Sequence, residues 1–279
     1  MNKITAIVGI SLLTAVLQSC GTGGEEISLR FKFEPGLKLV YDQTTRRSLT
    51  VTEADSVTKQ SSATILLQIE QTVRRVLPDT SAEILERDSW DYTQVNEKDS
   101  TKLDTVRGSR EMVVFVKPNG KVVDIDFTSE MDSSTASYIE DYFDQATPVF
   151  PSGELRPGQS WTQETSVFID SVPTVASTCY IFTGVERQLG YRCAVITYDG
   201  NLVIPVKISP QDSTQRQGVD RIRATGTMYF AYQEGCVVMQ VENWTVAGQR
   251  EKLSEGASKS YRVDSQSETR FALKERKLM

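Results

Sequence analysis

The sequence predicts a mainly β fold: antiparallel curved sheets or a half-barrel, built from two pseudo-repeats joined by one helix. Three observations carry this reading. Apolar and polar residues alternate with period two over long stretches, as in Leu37, Leu39 and Tyr41 against Lys38, Asp42 and Thr44, the pattern of a half-buried strand. Only residues 128–146 carry a helical period. Three landmarks then recur in the same order in the second half of the chain.

Taken in order, Leu29-Arg30-Phe31-Lys32-Phe33 alternates and reads as a short first strand, which the turn signal Glu34-Pro35-Gly36 stops. A long strand follows from Leu37. After the turn Glu53-Ala54-Asp55-Ser56 comes another, in which Ile65, Leu67, Ile69 and Val73 alternate with Gln68, Glu70, Thr72 and Arg74. The short connection predicts that the two pair antiparallel. Pro78-Asp79-Thr80 breaks the run, and residues 82–92 form a third long strand. Residues 96–110 are polar and read as a mobile surface loop. Residues 112–127 form a hairpin about Lys117-Pro118-Asn119-Gly120, because Asn-Gly supplies the positive φ angles such a turn needs.

The helix comes next, capped by Thr128 or Ser129. Met131, Ile139, Tyr142, Phe143 and Ala146 fall on one side, with Glu140, Asp141 and Asp144 opposite. It ends before Pro148, and residues 148–153 are an extended connector. In the final strand, Tyr261, Val263, Phe271 and Leu273 face away from Arg262, Asp264, Glu268 and Arg270. Those charges predict a position closing or edging the sheet.

The repeat rests on three correspondences: Glu34-Pro35-Gly36 with Arg156-Pro157-Gly158, residues 72–84 with 184–196, and residues 115–123 with 230–238. The resulting division is 29–127 for the first repeat, 128–158 for helix and connector, and 159–279 for the second repeat.

Ahead of this body, Lys3 precedes an apolar run from residue 4 to 17 that is too short and too interrupted by Ser and Thr for a membrane span. The order Leu17-Gln18-Ser19-Cys20 resembles the lipobox of bacterial lipoproteins; the alternative is an ordinary signal peptide with a chance cysteine. The resemblance implies that residues 1–19 are removed, that Cys20 becomes a lipidated first residue, and that residues 20–28 tether the body to a membrane.

Loss of residues 1–19 leaves 260 of the 279 residues, enough for a sizeable core. Because the only charge lost is Lys3, the net charge moves from −6 to −7. That balance disfavours nucleic acid and anionic lipid surfaces, which reward clustered Lys and Arg. Attachment to the membrane must then come from the lipid on Cys20. Histidine is absent, which removes the commonest general base and a common metal ligand. No Gly-x-Ser-x-Gly elbow, phosphate-binding glycine loop or Cys-x-x-Cys pair occurs. Ser56-Val57-Thr58-Lys59 has the Ser-x-x-Lys spacing of one hydrolase class but falls in a hairpin turn instead of opening a helix. Asp124 and Asp126 share one face of a strand and read as solvated charges opposite Val123, Ile125 and Phe127. Neither catalysis, a cofactor nor a metal is expected.

Cys179, Cys193 and Cys236 remain after Cys20. As buried thiols they are packing residues, with a 179–193 bridge or a pair involving Cys236 as alternatives. Trp90, Trp161, Trp244, Tyr229, Phe230 and Tyr232 read as sheet-face and core aromatics, or as the lining of a ligand groove.

Lipobox, Phe-rich start ending in Pro-Gly, Asn-Gly hairpin, single helix and the restart at Pro157-Gly158-Gln159-Ser160-Trp161 together resemble a family of bacterial envelope lipoproteins with a duplicated β region. More distantly the pattern is similar to the half-barrel carriers of the LolA-like and LppX-like type. The family motifs are structural, and no catalytic residue is carried over. The resemblance implies a lipid-anchored protein of the cell envelope, at the outer membrane before the inner, holding a hydrophobic ligand or lipid. Ile65, Leu67, Ile69, Trp161, Val167, Ile181, Tyr229 and Phe230 would line the site. The alternative is an interaction protein that contacts another envelope protein or cell-wall polymer through the loops at 96–110 and 209–220.

Overall fold

The computed structural model describes residues 25–53, 56–96, 103–128, 143, 147–169, 172–206, 215–254 and 257–279. Its strands are β1 (Ile27–Ser28), β2 (Leu37–Glu53), β3 (Ser56–Val76), β4 (Ala82–Asn96), β5 (Leu103–Val116), β6 (Val122–Phe127), β7 (Glu154–Leu155), β8 (Ser160–Ile169), β9 (Val172–Gln188), β10 (Tyr191–Val206), β11 (Gln215–Ala231), β12 (Cys236–Ser254) and β13 (Ala257–Leu278). β1 and β7 make a small antiparallel ribbon. The other eleven lie in one antiparallel sheet, ordered β6-β5-β4-β3-β2-β13-β12-β11-β10-β9-β8. The sheet is open, with β6 and β8 as its free edges.

The chain enters at the middle of the sheet, meanders out to β6, passes to the opposite edge and meanders back. Its last strand, β13, pairs with β2 from Tyr261↔Glu53 to Leu278↔Leu37 and with β12 on its other side. The final strand is therefore central, not an edge, and its charges lie on a solvated face. The three landmark pairs occupy matching places in the two meanders. Gly36 and Gly158 precede β2 and β8 with φ of 83° and 91°, and the other two pairs fall at the β3–β4 and β9–β10 turns and at the β5–β6 and β11–β12 turns.

Three further expectations change. Residues 29–33 are not a strand: Phe31 and Lys32 donate their backbone N–H groups to hairpin turns and not to a ladder. The stretch 96–110 is mostly β5, leaving only 97–102 outside the described residues. Its polarity arises because Thr105, Arg107 and Ser109 alternate outward while Val106 and Gly108 pair with Tyr92 and Trp90. Likewise Gln215 to Asp220 belong to β11 and are not loop. The expected helix falls outside the described residues except for Thr128 and Phe143; Phe143 packs beside Met112 and Val114.

The sheet is strongly curled at the end where these hairpins turn. Phe31 N donates to Pro118 O at 2.7 Å, and Lys32 N donates to Gly235 O at 3.1 Å. Consecutive residues sit about 3.8 Å apart. The β5–β6 and β11–β12 tips they join are six strands apart in the sheet order, roughly 29 Å if the sheet were flat. Only a curled sheet brings the tips together. Both turns need glycine: Gly120 (φ 91°) and Gly235 (φ 69°) sit in the left-handed region, and a Cβ would strike Pro148 O at the first and the Lys32 backbone at the second.

The core fills this curled end. Residues 27–31 and 147–155 lie across one face, where Ile27, Leu29, Phe150 and Leu155 pack on Tyr180, Phe182, Ala194, Ile196, Met228 and Phe230. Tyr41 and Leu273 cluster with Cys193, Ala231, Cys236 and Val238, and Leu37 with Val73, Ala82 and Ile84. The ion pairs Glu25–Arg192 and Glu26–Arg156, followed by the β1–β7 pairing, fix the start of the described chain to this plug.

Candidate functional site

From beneath the plug outward, strand register arranges the same face of the sheet in rows. We call this face inner, because Leu37, Leu39 and Tyr41 on it face the plug. The row of Gln43 contains Leu67 and Trp90 on one side, and Phe271, Gln240, Met228, Ile196 and Phe182 on the other. The next row joins Tyr92, Ile65, Thr45, Thr269, Glu242, Gly226, Tyr198, Tyr180 and Trp161. The row after it joins Gln94, Ala63, Arg47, Ser267, Trp244, Ala224 and Gly200. The fourth joins Leu49 with Ser61, Ser265, Val246, Ile222 and Leu202. The inner face is thus aromatic just past the plug, then hydroxyl-rich about Arg47, then aliphatic.

The outer face has a different chemistry. Arg107–Asp91 at 3.0 Å, Arg223–Asp199 at 2.6 Å, Lys274–Asp42 at 3.1 Å and Lys38–Glu70 at 2.6 Å are cross-strand pairs there. Each is worth little on an exposed surface, but together they show which side water covers.

Aromatic residues close the plug on the side of the trough, with Tyr180 and Tyr198 buried in its core and Trp161 packed against it. Trp161 stacks on Tyr180 with centroids 5.2 Å apart, and Tyr180 leans on Tyr198 at 5.7 Å. The Tyr198 ring then passes over Gly226, where any Cβ would collide with it. Its hydroxyl donates to Glu242 Oε1 at 3.0 Å and accepts from Gln240 Nε2 at 2.8 Å. Trp90 covers Gly108 in the same way. Burial pushes the Glu242 carboxyl and the Tyr180 and Tyr198 phenols upward.

Closer to the plug, an apolar cavity of about 90 Å³ opens between Phe31, Leu39, Val73, Ile84 and Val114, with one polar corner formed by Gln71 and Glu86. Gln71 Nε2 donates to Glu86 Oε2 at 2.7 Å. Burial, and secondarily the neighbouring Asp88, raise the Glu86 carboxyl from 4.5 to about 7. Folded protein therefore keeps a proton there that the unfolded chain releases. Stability must fall as pH rises from 4.5 to about 7, by about 3 kcal/mol from this group. Glu86→Gln is expected to remove most of that slope: denaturant midpoints at pH 5 and pH 8 should converge in the variant and differ in the parent.

The residues singled out in the sequence divide unevenly. Ile65, Leu67 and Ile69 do sit on the inner face and are half-buried, with Ile69 packed against the cluster of Tyr41 and Leu273. Trp161 is on the inner face as well. Ile181 is not: it pairs with Thr197 and Ser160 on the outer face and is 39% exposed. A bulge beside Val195, which leaves Thr183 unpaired, is responsible, because it flips the parity of β9 so that Phe182 and Tyr180 turn inward. Tyr229 and Phe230 are neighbours on a strand and face opposite ways; Phe230 is fully buried in the plug and lines nothing. Val167 pairs with Thr174, but its side chain lies outside the described residues, as do Leu17, Gln18, Ser19 and Cys20. Asp124 and Asp126 are exposed, and so is Val123, which the bulge beside Val116 displaces from the row of Ile125 and Phe127.

The three described cysteines are unbridged, with Cys179 exposed on the outer face opposite Asp199. Ala231 stands between Cys193 and Cys236 in the ladder, which holds those two strands' cysteines two strand spacings, about 10 Å, apart. A disulfide needs Cα atoms within about 7 Å. Burial pushes both thiols up to about 11, so they are packing groups.

No protein-family model matches this sequence, and no curated protein matches it. Among solved structures the fold is similar to that described as "Lipid-protein interactions in lipovitellin", with a TM-score of 0.54 at 10% identity over 88% of this chain. The chain spans about a quarter of that protein, 26% of its length. An outer membrane channel from Pseudomonas putida F1 aligns over 90% of this chain and 98% of its own at 8% identity, but its TM-score of 0.28 implies no common fold. What the first comparison establishes is the fold: a large, open, antiparallel β sheet.

Proposed function

We propose that this chain is a non-catalytic, lipid-anchored protein of the bacterial envelope, attached at the outer membrane through Cys20, and that its inner sheet face holds a hydrophobic ligand or lipid. The observation that supports it most is the division of one open sheet into an ion-paired outer face and an aromatic and aliphatic inner face that, beyond the plug, no described segment covers. Leu49, Ile65, Leu67, Trp90, Ile222 and Val246 on that face are half-buried, and clustered apolar surface that is not fully covered marks interaction sites. The similarity to lipovitellin, whose structure was described for its lipid–protein interactions, fits this use of the fold. Contact with another envelope protein is the competing reading, although the outer face has most of its charges already paired.

Neighbouring leucines test the assignment. Leu66 is 51% exposed on the outer face, and Leu67 is half-buried on the inner one. Chain lacking residues 1–20, purified from cells, is expected to show a bound lipid mass in native mass spectrometry. Leu67→Glu should lose that mass and Leu66→Glu keep it; equal behaviour of the two variants, or no bound lipid in the parent, would sink the reading. Anchoring is checked separately by incorporation of labelled palmitate into the full chain, expected in the parent and absent from Cys20→Ser.

A further inference from the structure

Arg47 is unusual among the charges on the inner face. In the rows from Tyr41 to Leu49, Asp88 is paired with Arg110 at 2.6 Å, and Glu242 accepts a hydrogen bond from Tyr198. Arg47, by contrast, has no carboxylate within 4.0 Å among the described residues. Its guanidinium is nevertheless held in place. Nε donates to Ser265 Oγ at 3.1 Å, and Ser265 Oγ donates to Ser48 O at 2.9 Å. The two terminal nitrogens have no protein acceptor among the described residues. Such a guanidinium presents a planar fork of donors that fits a carboxylate with two parallel hydrogen bonds.

Its surroundings complete an amphipathic site. Ser267 is its direct cross-strand neighbour, and Thr45 Oγ1 and Thr269 Oγ1 lie 2.9 Å apart one row nearer the plug. One row the other way, about 7 Å along the strands, Leu49, Ser265, Val246, Ile222 and Leu202 form a row crossing five strands, roughly 19 Å wide and aliphatic except at Ser265. A fixed cation thus stands at one end of an apolar track across the sheet.

We propose that Arg47 is the head-group subsite of the trough and that the preferred ligand is a singly charged anionic amphiphile, a long-chain fatty acid. Its carboxylate bridges the Arg47 terminal nitrogens, and its chain lies along the row from Leu49 to Leu202. This rests on the trough reading above and adds the charge and position of the ligand.

The test compares palmitate with hexadecanol, which has the same chain length and no charge, using quenching of tryptophan fluorescence in the delipidated mature chain. Palmitate is expected to bind about tenfold more tightly than hexadecanol, the weight of a charge-assisted hydrogen bond. Arg47→Leu should erase that preference while leaving hexadecanol affinity and the thermal midpoint unchanged. Binding of both ligands with no preference for the acid, or a preference that survives in Arg47→Leu, overturns the head-group assignment alone. Failure of both ligands to bind overturns the trough itself. Vesicles of phosphatidylglycerol form a third arm, and Arg47-dependent binding there without any to palmitate would refute the fatty acid.

Discussion

Phe230→Ala is expected to destabilise the protein by about 3–5 kcal/mol, the range for emptying a fully buried aromatic site. Phe230 is 0% exposed and packs edge-on to Phe31, at 5.2 Å between centroids, and to Phe150, at 4.8 Å. Those two rings belong to the N-terminal segment and to the connector between the meanders. One side chain therefore joins the sheet to both covering segments. Part of the loss should appear as release of the plug: faster amide exchange at Phe31 and Phe150, whose N–H groups bond to Pro118 and Asn119. A denaturation midpoint within about 1 kcal/mol of the parent would show that these segments contribute little to the curled end.

Arg110→Met should have an effect of similar size, but one that depends on pH. Asp88 is 2% exposed, its Oδ2 bonds Arg110 Nε at 2.6 Å, and its Oδ1 has no partner among the described residues. Burial raises the Asp88 carboxyl, and Arg110 works against that rise. Removing the arginine leaves a buried charge uncompensated beside Glu86, at a cost of about 3–5 kcal/mol near pH 8. Because the variant's Asp88 would titrate well above an unfolded aspartate, its deficit should shrink as the pH falls and the carboxyl is neutralised. Urea unfolding at pH 8 and pH 4.5 measures both effects. The double variant Asp88→Asn with Arg110→Met should recover most of the loss at pH 8, and a failure to do so would mean that packing, not charge, dominates at this site.

The long strands were legible because alternation is a local property. Leu37, Leu39 and Tyr41, or Ile65, Leu67 and Ile69, announce a half-buried strand whatever lies beside them. What alternation cannot convey is a change of phase. The bulge that leaves Thr183 unpaired exchanges Ile181 for Tyr180 and Phe182 on the inner face, and nothing about Thr183 in isolation marks it. Sheet order was equally hidden. Pairing of β13 with β2 is a contact across the whole chain, so the charges of β13 read as edge protection when they are the outer face of a central strand. Arg47 is hidden in the sequence for the opposite reason. Flanked by Arg46 and Ser48 it looks solvated, and its isolation from carboxylates exists only once β13 lies alongside it.

The plug also fixes a direction. Glu25 and Glu26 are already held at the curled end by Arg192 and Arg156, and five residues of chain from Cys20 can span at most about 18 Å. A lipid on Cys20 would therefore keep the sealed end close to the bilayer. The strands of 17–22 residues that run from that end are roughly 55–70 Å long. Were the chain so anchored, the inner face beyond the plug would point away from that membrane. Cargo would be exchanged with whatever approaches from the aqueous side, and not by sliding sideways out of the leaflet in which the anchor is buried.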